Sequence, residues 1–304
     1  MFIIKQRKFF FIISAILVLL SIFAIYQIGI PLGIEFTGGT IIELNYDIAA
    51  NRPASNELST KLADLDLGQV LIQPLGDKAF LLRLKTINES EKENLVSISG
   101  GSEARYSSIG PSLGRELARK GVIALILTMI LIIIYIAFVF RKVSLAALAG
   151  EAVSSWKYGV IAVVALVHDA FIATGFMVFL SKVLGLEADS LFLTALLMII
   201  GLSVNDTIVV FDRIRENLRH PEGRHFDELV GKSILETMAR SINTSLAVVL
   251  VLMAIYFLGA AGTKNFALIM TVGLIVGTYS SIFLASPLLV TWQKFTARRA
   301  ERKG

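Results

Sequence analysis

Apolar residues fall along this chain in six long runs, at 9–30, 121–140, 158–180, 190–211, 241–260 and 265–290. Each is long enough to cross about 30 Å of hydrocarbon as an α-helix, at about 1.5 Å per residue. Between the first two runs the pattern changes. TIIELNY (40–46) alternates with the period of a strand, and 55–65 carries Leu58, Leu62 and Leu65 at helical spacing. QVLIQPL and AFLLRLK read as two further strands. Ser90 with Glu93 is a capping box that predicts a helix to about Ile98. A short strand at 104–109 completes the order βαββαβ, that of a ferredoxin-like unit. Pro111 then opens a helix, SLGRELARKG, that leads into the second run. The expected fold is a membrane all-α bundle of six transmembrane helices. A small α+β, ferredoxin-like extracytoplasmic domain is inserted between helices 1 and 2.

Composition excludes the soluble alternatives. Of 304 residues, 55% are hydrophobic and 17% charged, far from the roughly 25% charged of a soluble domain. Six prolines exclude collagen-like and Pro-rich disordered chains. The absence of cysteine removes disulfides, thiolate metal sites and cysteine nucleophiles, and is silent on redox compartment. The first run follows Lys5-Gln6-Arg7-Lys8, as a signal peptide would, but it exceeds a 7–15-residue h-region and lacks a clear small-x-small cleavage site. It reads as an uncleaved anchor.

Charge sets the orientation. The net charge of +5 comes from basic residues flanking the apolar runs and is no nucleic-acid signature. Lys5, Arg7 and Lys8, the 141–157 loop, the 212–240 loop with six Lys/Arg, and the 294–304 tail carry the basic residues, while the alternate short loops hold only Lys182 and Lys264. The positive-inside rule places the basic set and both termini in the cytoplasm. The expected organisation is an N-terminal tail and first helix (1–30), an extracytoplasmic domain (31–120), helices two to six (121–293) and a basic tail (294–304). The domain, with 10 Lys/Arg and 12 Asp/Glu, is weakly acidic.

Ionisable groups inside spans cost about 2.5–3.5 kcal/mol each on insertion scales, which makes them the default functional candidates. Span three carries His168-Asp169, span four Asn205-Asp206-Thr207, and span five opens at Arg240 with Asn243 and Thr244 behind it. Asp206 lies about 9 Å from Asp212 along the helix axis, still in hydrocarbon. A carboxylate there is costly to ionise without a cation, and Arg240 is the obvious cation. A carboxyl alternating between a protonated and an Arg-paired state would gate a proton path; a fixed Asp206–Arg240 pair would only lock two helices together. His168-Asp169 is either part of a relay or a polar spot that bonds a neighbouring helix. Asn205, Thr207, Asn243 and Thr244 do not titrate and read as supporting hydrogen-bond partners.

Weaker signals remain. Gly38-Gly39 lacks both phosphate-loop patterns and reads as a turn into the first strand. Ser203 reads as a packing hydroxyl rather than an intramembrane nucleophile served by His168. Gly273 and Gly277 form a GxxxG packing face. The 212–240 stretch reads mostly as a solvated amphipathic helix at the interface, and the 298–303 tail meets anionic lipids. No catalytic residue, metal site or cofactor is expected.

These residues carry a resemblance. GIEFTGGT is similar to the D-F-T-G-G signature of the SecD/SecF family, relatives of the proton-driven RND transporters. IGPSLGRELARKG, VHDA, GLSVNDTIVVFDRIREN, RSINTSL and GTYSSIFLASPLL are similar to further blocks of the family, and together they reach from about 29 to 289. The resemblance implies a non-enzymatic subunit that pairs with SecD, associates with the SecYEG channel and YajC, and uses the proton motive force late in export of a translocating preprotein. It places the family's proton-path aspartate at Asp206 and its essential arginine at Arg240, and the periplasmic motif at Glu35, Phe36, Thr37, Gly38 and Gly39. Two departures stand out. Glu35 replaces the signature's aspartate, and 143–157 is longer than the family's turn there. Six spans lead us to expect the SecD half on a separate chain. The rivals are a proton-coupled RND-type exporter of small molecules or lipids, and a passive assembly factor.

Overall fold

The computed structural model describes residues 2–48, 51–63, 65, 67–68, 70–140, 155–219 and 225–301. It divides into two compact units, Leu32–Ile123 and the remainder.

The inserted unit is a four-stranded antiparallel sheet, order β2-β3-β1-β4, from β1 (Gly39–Asn45), β2 (Leu71–Leu75), β3 (Ala79–Leu84) and β4 (Ser102–Ile109). This is the ferredoxin-like strand order, with β1 and β3 central. The period of two decides the faces. Thr40, Ile42 and Leu44 of β1 point to the core. Their partners Leu84, Leu82 and Phe80 of β3 point the same way. Two helices cover that face, α4 (Ser55–Ala63) through Leu58 and Leu62, and α5 (Glu89–Ser99) through Leu95. The cap of α5 differs from expectation. Asn88 accepts from the Glu91 amide at 2.9 Å while Glu91 accepts from the Asn88 amide at 2.8 Å. Asn88–Glu91 has the same spacing as Ser90–Glu93 but stands two residues earlier, and the Ser90 hydroxyl is itself spent on Asn88 at 2.8 Å.

The second unit holds the spans. After α1 (Phe2–Lys5) come α2 (Arg7–Ile28), α6 (Pro111–Val139, which belongs to the inserted unit as far as Ile123), α7 (Ser155–Leu184), α8 (Ser190–Arg219) and α9 (Phe226–Leu258). The sixth span is composite: α10 (Ala261–Tyr279), a π-helical stretch (Ser280–Ala285) and α11 (Ser286–Glu301). The remaining short helix, α3 (Ile34–Thr37), belongs to the inserted unit. Six helices are long and apolar enough to cross a membrane. Small residues set their spacing. A Cβ on Gly175 of α7 would fall 2.3 Å from Ser21 Cβ of α2. One on Gly273 would fall 2.1 Å from Ile199 Cδ1, and one on Gly277 2.9 Å from Ser203 Cβ, so the GxxxG face of α10 seats on α8.

The helix predicted to open at Pro111 leads into span two as one continuous helix. One difference from the sequence reading concerns the span ends. The 212–240 stretch is no separate surface helix where it is described. It continues spans four and five, with Phe226, Leu229, Val230 and Ile234 buried against Phe211 and Ile214. Arg213 pairs with Glu236 at 2.6 Å, and Asn217 donates to Ser233 at 2.9 Å. Its apolar stripe is satisfied by the bundle instead of by lipid. Of the tail, Lys294 donates to Asp227 at 2.7 Å. Most of the 143–157 stretch lies outside the described residues, whereas Lys157 sits inside α7 and donates to Gln293 and Thr296.

Candidate functional site: two buried carboxylates among hydroxyls

Span four supplies the floor of the site. Ser203, Asp206, Thr207 and Val210 recur at intervals of three or four, so they share the buried face of α8. Asp206 is 5% exposed. Its Oδ2 accepts from Ser245 of α9 at 3.3 Å and from Thr278 of α10 at 3.2 Å, and those two hydroxyls lie 2.6 Å apart. Three contacts join this triad, while two hydroxyls supply only two protons. A protonated carboxyl would donate to one hydroxyl and leave that hydroxyl free to donate to the other, which fills all three without moving any heavy atom.

Asp169, fully buried on α7, is bound differently. Its Oδ1 accepts from His168 Nδ1 at 2.9 Å, and its Oδ2 accepts from Ser203 at 2.5 Å and Ser280 at 2.8 Å. Each of the three contacts has its own donor group. The other ring nitrogen of His168, Nε2, is buried and has no hydrogen-bond partner among the described residues. Thr207 and Ser281 share a contact of 2.8 Å, and both also bond the Ser203 carbonyl.

The π-helical stretch explains how consecutive residues serve two partners. Pro287 lacks an amide proton and crowds the carbonyl four residues before it. The helix widens just before that proline, and Ser286 bonds the Ser281 carbonyl five residues back at 3.2 Å. Ser280 and Ser281 then both face inward, one to Asp169 and one to Thr207.

Arg240 stands elsewhere. Among the described residues no ion pair joins it to Asp206; Arg240 is exposed, as are Asn243, Thr244 and Asn205. The helical period gives the reason: Ser241 and Ser245 share the face of α9 that meets Asp206, and Arg240 is turned about 100° from Ser241. The structure therefore gathers His168, Asp169, Asp206 and Thr207, and leaves Arg240, Asn205, Asn243 and Thr244 on the outside of the spans. Glu35, Phe36, Thr37, Gly38 and Gly39 lie in the inserted unit, at α3 and the start of β1. Sequence reasoning missed Ser245, Thr278, Ser280 and Ser281. The signal was present as hydroxyls at 278, 280 and 281 just ahead of a proline in an apolar run.

The architecture defines a class: a multi-pass membrane protein with a ferredoxin-like insert after its first span and buried carboxylates in its third and fourth. Comparison with known proteins makes this specific. Residues 91–295 match the family model for the protein export membrane protein SecD/SecF, C-terminal, and residues 23–47 match the SecD/SecF GG motif. The protein translocase subunit SecF of Thermobaculum terrenum is 37% identical, over 96% of this chain and 93% of that protein. That of Anaerolinea thermophila is 34% identical, over 99% of this chain and 97% of that protein. The crystal structure of SecDF, a translocon-associated membrane protein from Thermus thermophilus, superposes with a TM-score of 0.81 at 31% identity. That match covers 96% of this chain and 38% of the SecDF chain. The chain belongs to the SecD/SecF family of protein export membrane proteins.

Proposed function

We propose that this chain acts in protein export as a SecF subunit. Paired with SecD beside the SecYEG channel and YajC, it uses the proton motive force to drive late stages of preprotein translocation across the bacterial inner membrane. It is a transport component, not an enzyme. The observation that carries this reading is the buried triad of Asp206, Ser245 and Thr278, three contacts that two hydroxyl protons cannot fill. Asp206 takes up the proton, and the His168–Asp169 pair is the fixed polar hub beside it. Each proton moving down 100 mV releases about 2.3 kcal/mol. That is comparable to the few kcal/mol between two states of a bistable element.

The exposed polar stripe of α9 supports a partner. Arg240 at the opening of span five, and Asn243 and Thr244 one turn further in, are exposed on α9, and polar side chains on the outer face of a span are costly without a partner. Arg240, Asn243 and Thr244 meet the SecD half, and Arg240 finds its counter-charge there. The basic loops and tail set both termini in the cytoplasm.

The test is pulse-chase processing of a signal-peptide-bearing precursor. The host is depleted of its own SecF and supplied with the cognate SecD plus either this chain or its Asp206→Asn variant, at equal membrane levels. Maturation and release return with the native chain and not with Asp206→Asn. Equal rescue by both would make Asp206 structural and the chain a passive assembly factor.

A further inference from the structure

The inserted unit contains a contact that the reading of the carboxylates does not use. Residues 33–39, Gly-Ile-Glu-Phe-Thr-Gly-Gly, form the one-turn helix α3 and then enter β1. The Gly38 amide closes that turn on the Ile34 carbonyl at 2.8 Å, and Gly38 has φ +78° and Gly39 φ +137°, values that side chains oppose. The first turn of α6 lies directly against this segment. A Cβ on Gly38 would fall 2.6 Å from Pro111 Cα, and a Cβ on Gly114 would fall 2.7 Å from the Gly38 nitrogen and 3.1 Å from the Phe36 carbonyl carbon. On the other side, a Cβ on Gly39 would fall 3.0 Å from the Leu84 carbonyl oxygen of β3. Backbone thus meets backbone on both flanks, and residues 36–39 are wedged between the sheet and the start of α6. Gly110, beside the wedge, faces open space. The glycine requirement is therefore local to the contact.

We propose that Gly38 and Gly114 are positioning residues that clamp the first turn of α6 to the ferredoxin-like sheet, so that helix and sheet move as one body. Two observations make this clamp mechanical. Backbone-to-backbone contact has no side-chain rotamers to absorb displacement. The helix it grips runs unbroken from Pro111 to Val139. Movement of the second span is then delivered to the sheet rather than lost in a loop. The proposal rests on the export reading only for the source of that movement.

The experiment compares Gly114→Ala and Gly38→Ala with Gly110→Ala in the full chain, coexpressed with the cognate SecD, by hydrogen exchange and by precursor processing. The expected result is that exchange at residues 34–39 rises about tenfold in the two clamp variants, while Ile42, Leu44 and Leu82 stay protected. Processing in those variants falls to the level of cells without the chain, and Gly110→Ala matches the native chain in both measurements. Three outcomes overturn the proposal: unchanged exchange at 34–39, opened exchange with native processing, or exchange rising through Ile42 and Leu44 as well. The last would make the contact a folding requirement. Should Asp206→Asn export normally while Gly114→Ala does not, the proton reading fails and the clamp stands.

Discussion

Asp169 and Asp206 are both buried in the spans, and both are held by hydroxyls, yet their hydrogen-bond arithmetic differs. Asp169 has one donor for every contact, from His168, Ser203 and Ser280. Asp206 shares two hydroxyls that also touch each other. The three donors on Asp169 tie α7, α8 and the π-helical stretch into one arrangement. In the proposed function the ring at Asp206, short of one proton, is the receptor for that proton. Burial cost alone, the argument available from sequence, ranks the two aspartates alike. The count of donors separates them.

The contrast can be broken most directly at Asp169. Asp169→Ala strands the His168, Ser203 and Ser280 donors in the interior and is expected to destabilise the detergent-solubilised chain by about 3–5 kcal/mol. Denaturation against Asp206→Ala reads the difference. Equal losses at the two positions would erase the distinction between the two aspartates. Asp206→Asn comes next. It is expected to leave stability within about 1 kcal/mol of native, because an amide still accepts from one hydroxyl, and to abolish the proton-dependent part of export. Precursor processing with and without an uncoupler measures it.

Two residues apart, Thr278 and Ser280 sharpen the comparison further. Ser280→Ala removes a donor from a carboxylate and should cost about 1–3 kcal/mol in unfolding experiments. Thr278→Ala removes a hydroxyl from the proton-short ring, so its main effect should be on the dependence of export on the proton gradient. A reversed pattern would exchange the roles assigned to Asp169 and Asp206. The smallest effect is expected at Arg240. Arg240→Ala should change the stability of the isolated chain by no more than about 0.5 kcal/mol, since the side chain is exposed there. It should weaken copurification with SecD. A large loss in the isolated chain would place the partner of Arg240 within this chain.

The inserted domain shows why some features were legible early. In β1 the alternation of Thr40, Ile42 and Leu44 fixes which side faces the helices, because a strand's side chains have a period of two. Leu58 and Leu62 do the same for α4 at a period of 3.6. The cap at Asn88 was missed because two candidate boxes overlap, and sequence spacing cannot rank them. The serines of the sixth span were missed for another reason: a hydroxyl in an apolar run bonds its own helix as readily as a neighbour, as Thr271 does with the Ala267 carbonyl.

By itself the sequence determined the membrane character, the six spans, the strand order of the insert and the short list of intramembrane ionisable groups. All of these follow from local rules: the cost of polar groups in hydrocarbon, and the periodicities of helix and strand. Tertiary structure alone decided which hydroxyl meets which carboxylate, and that Arg240 turns outward while Ser245 turns in. It also decided that Gly38, 76 positions before Gly114, meets it backbone to backbone. Those outcomes depend on helix rotation and on contacts between distant segments. A rotation of 100° about one helix axis moves a residue from lipid to core without changing any local pattern.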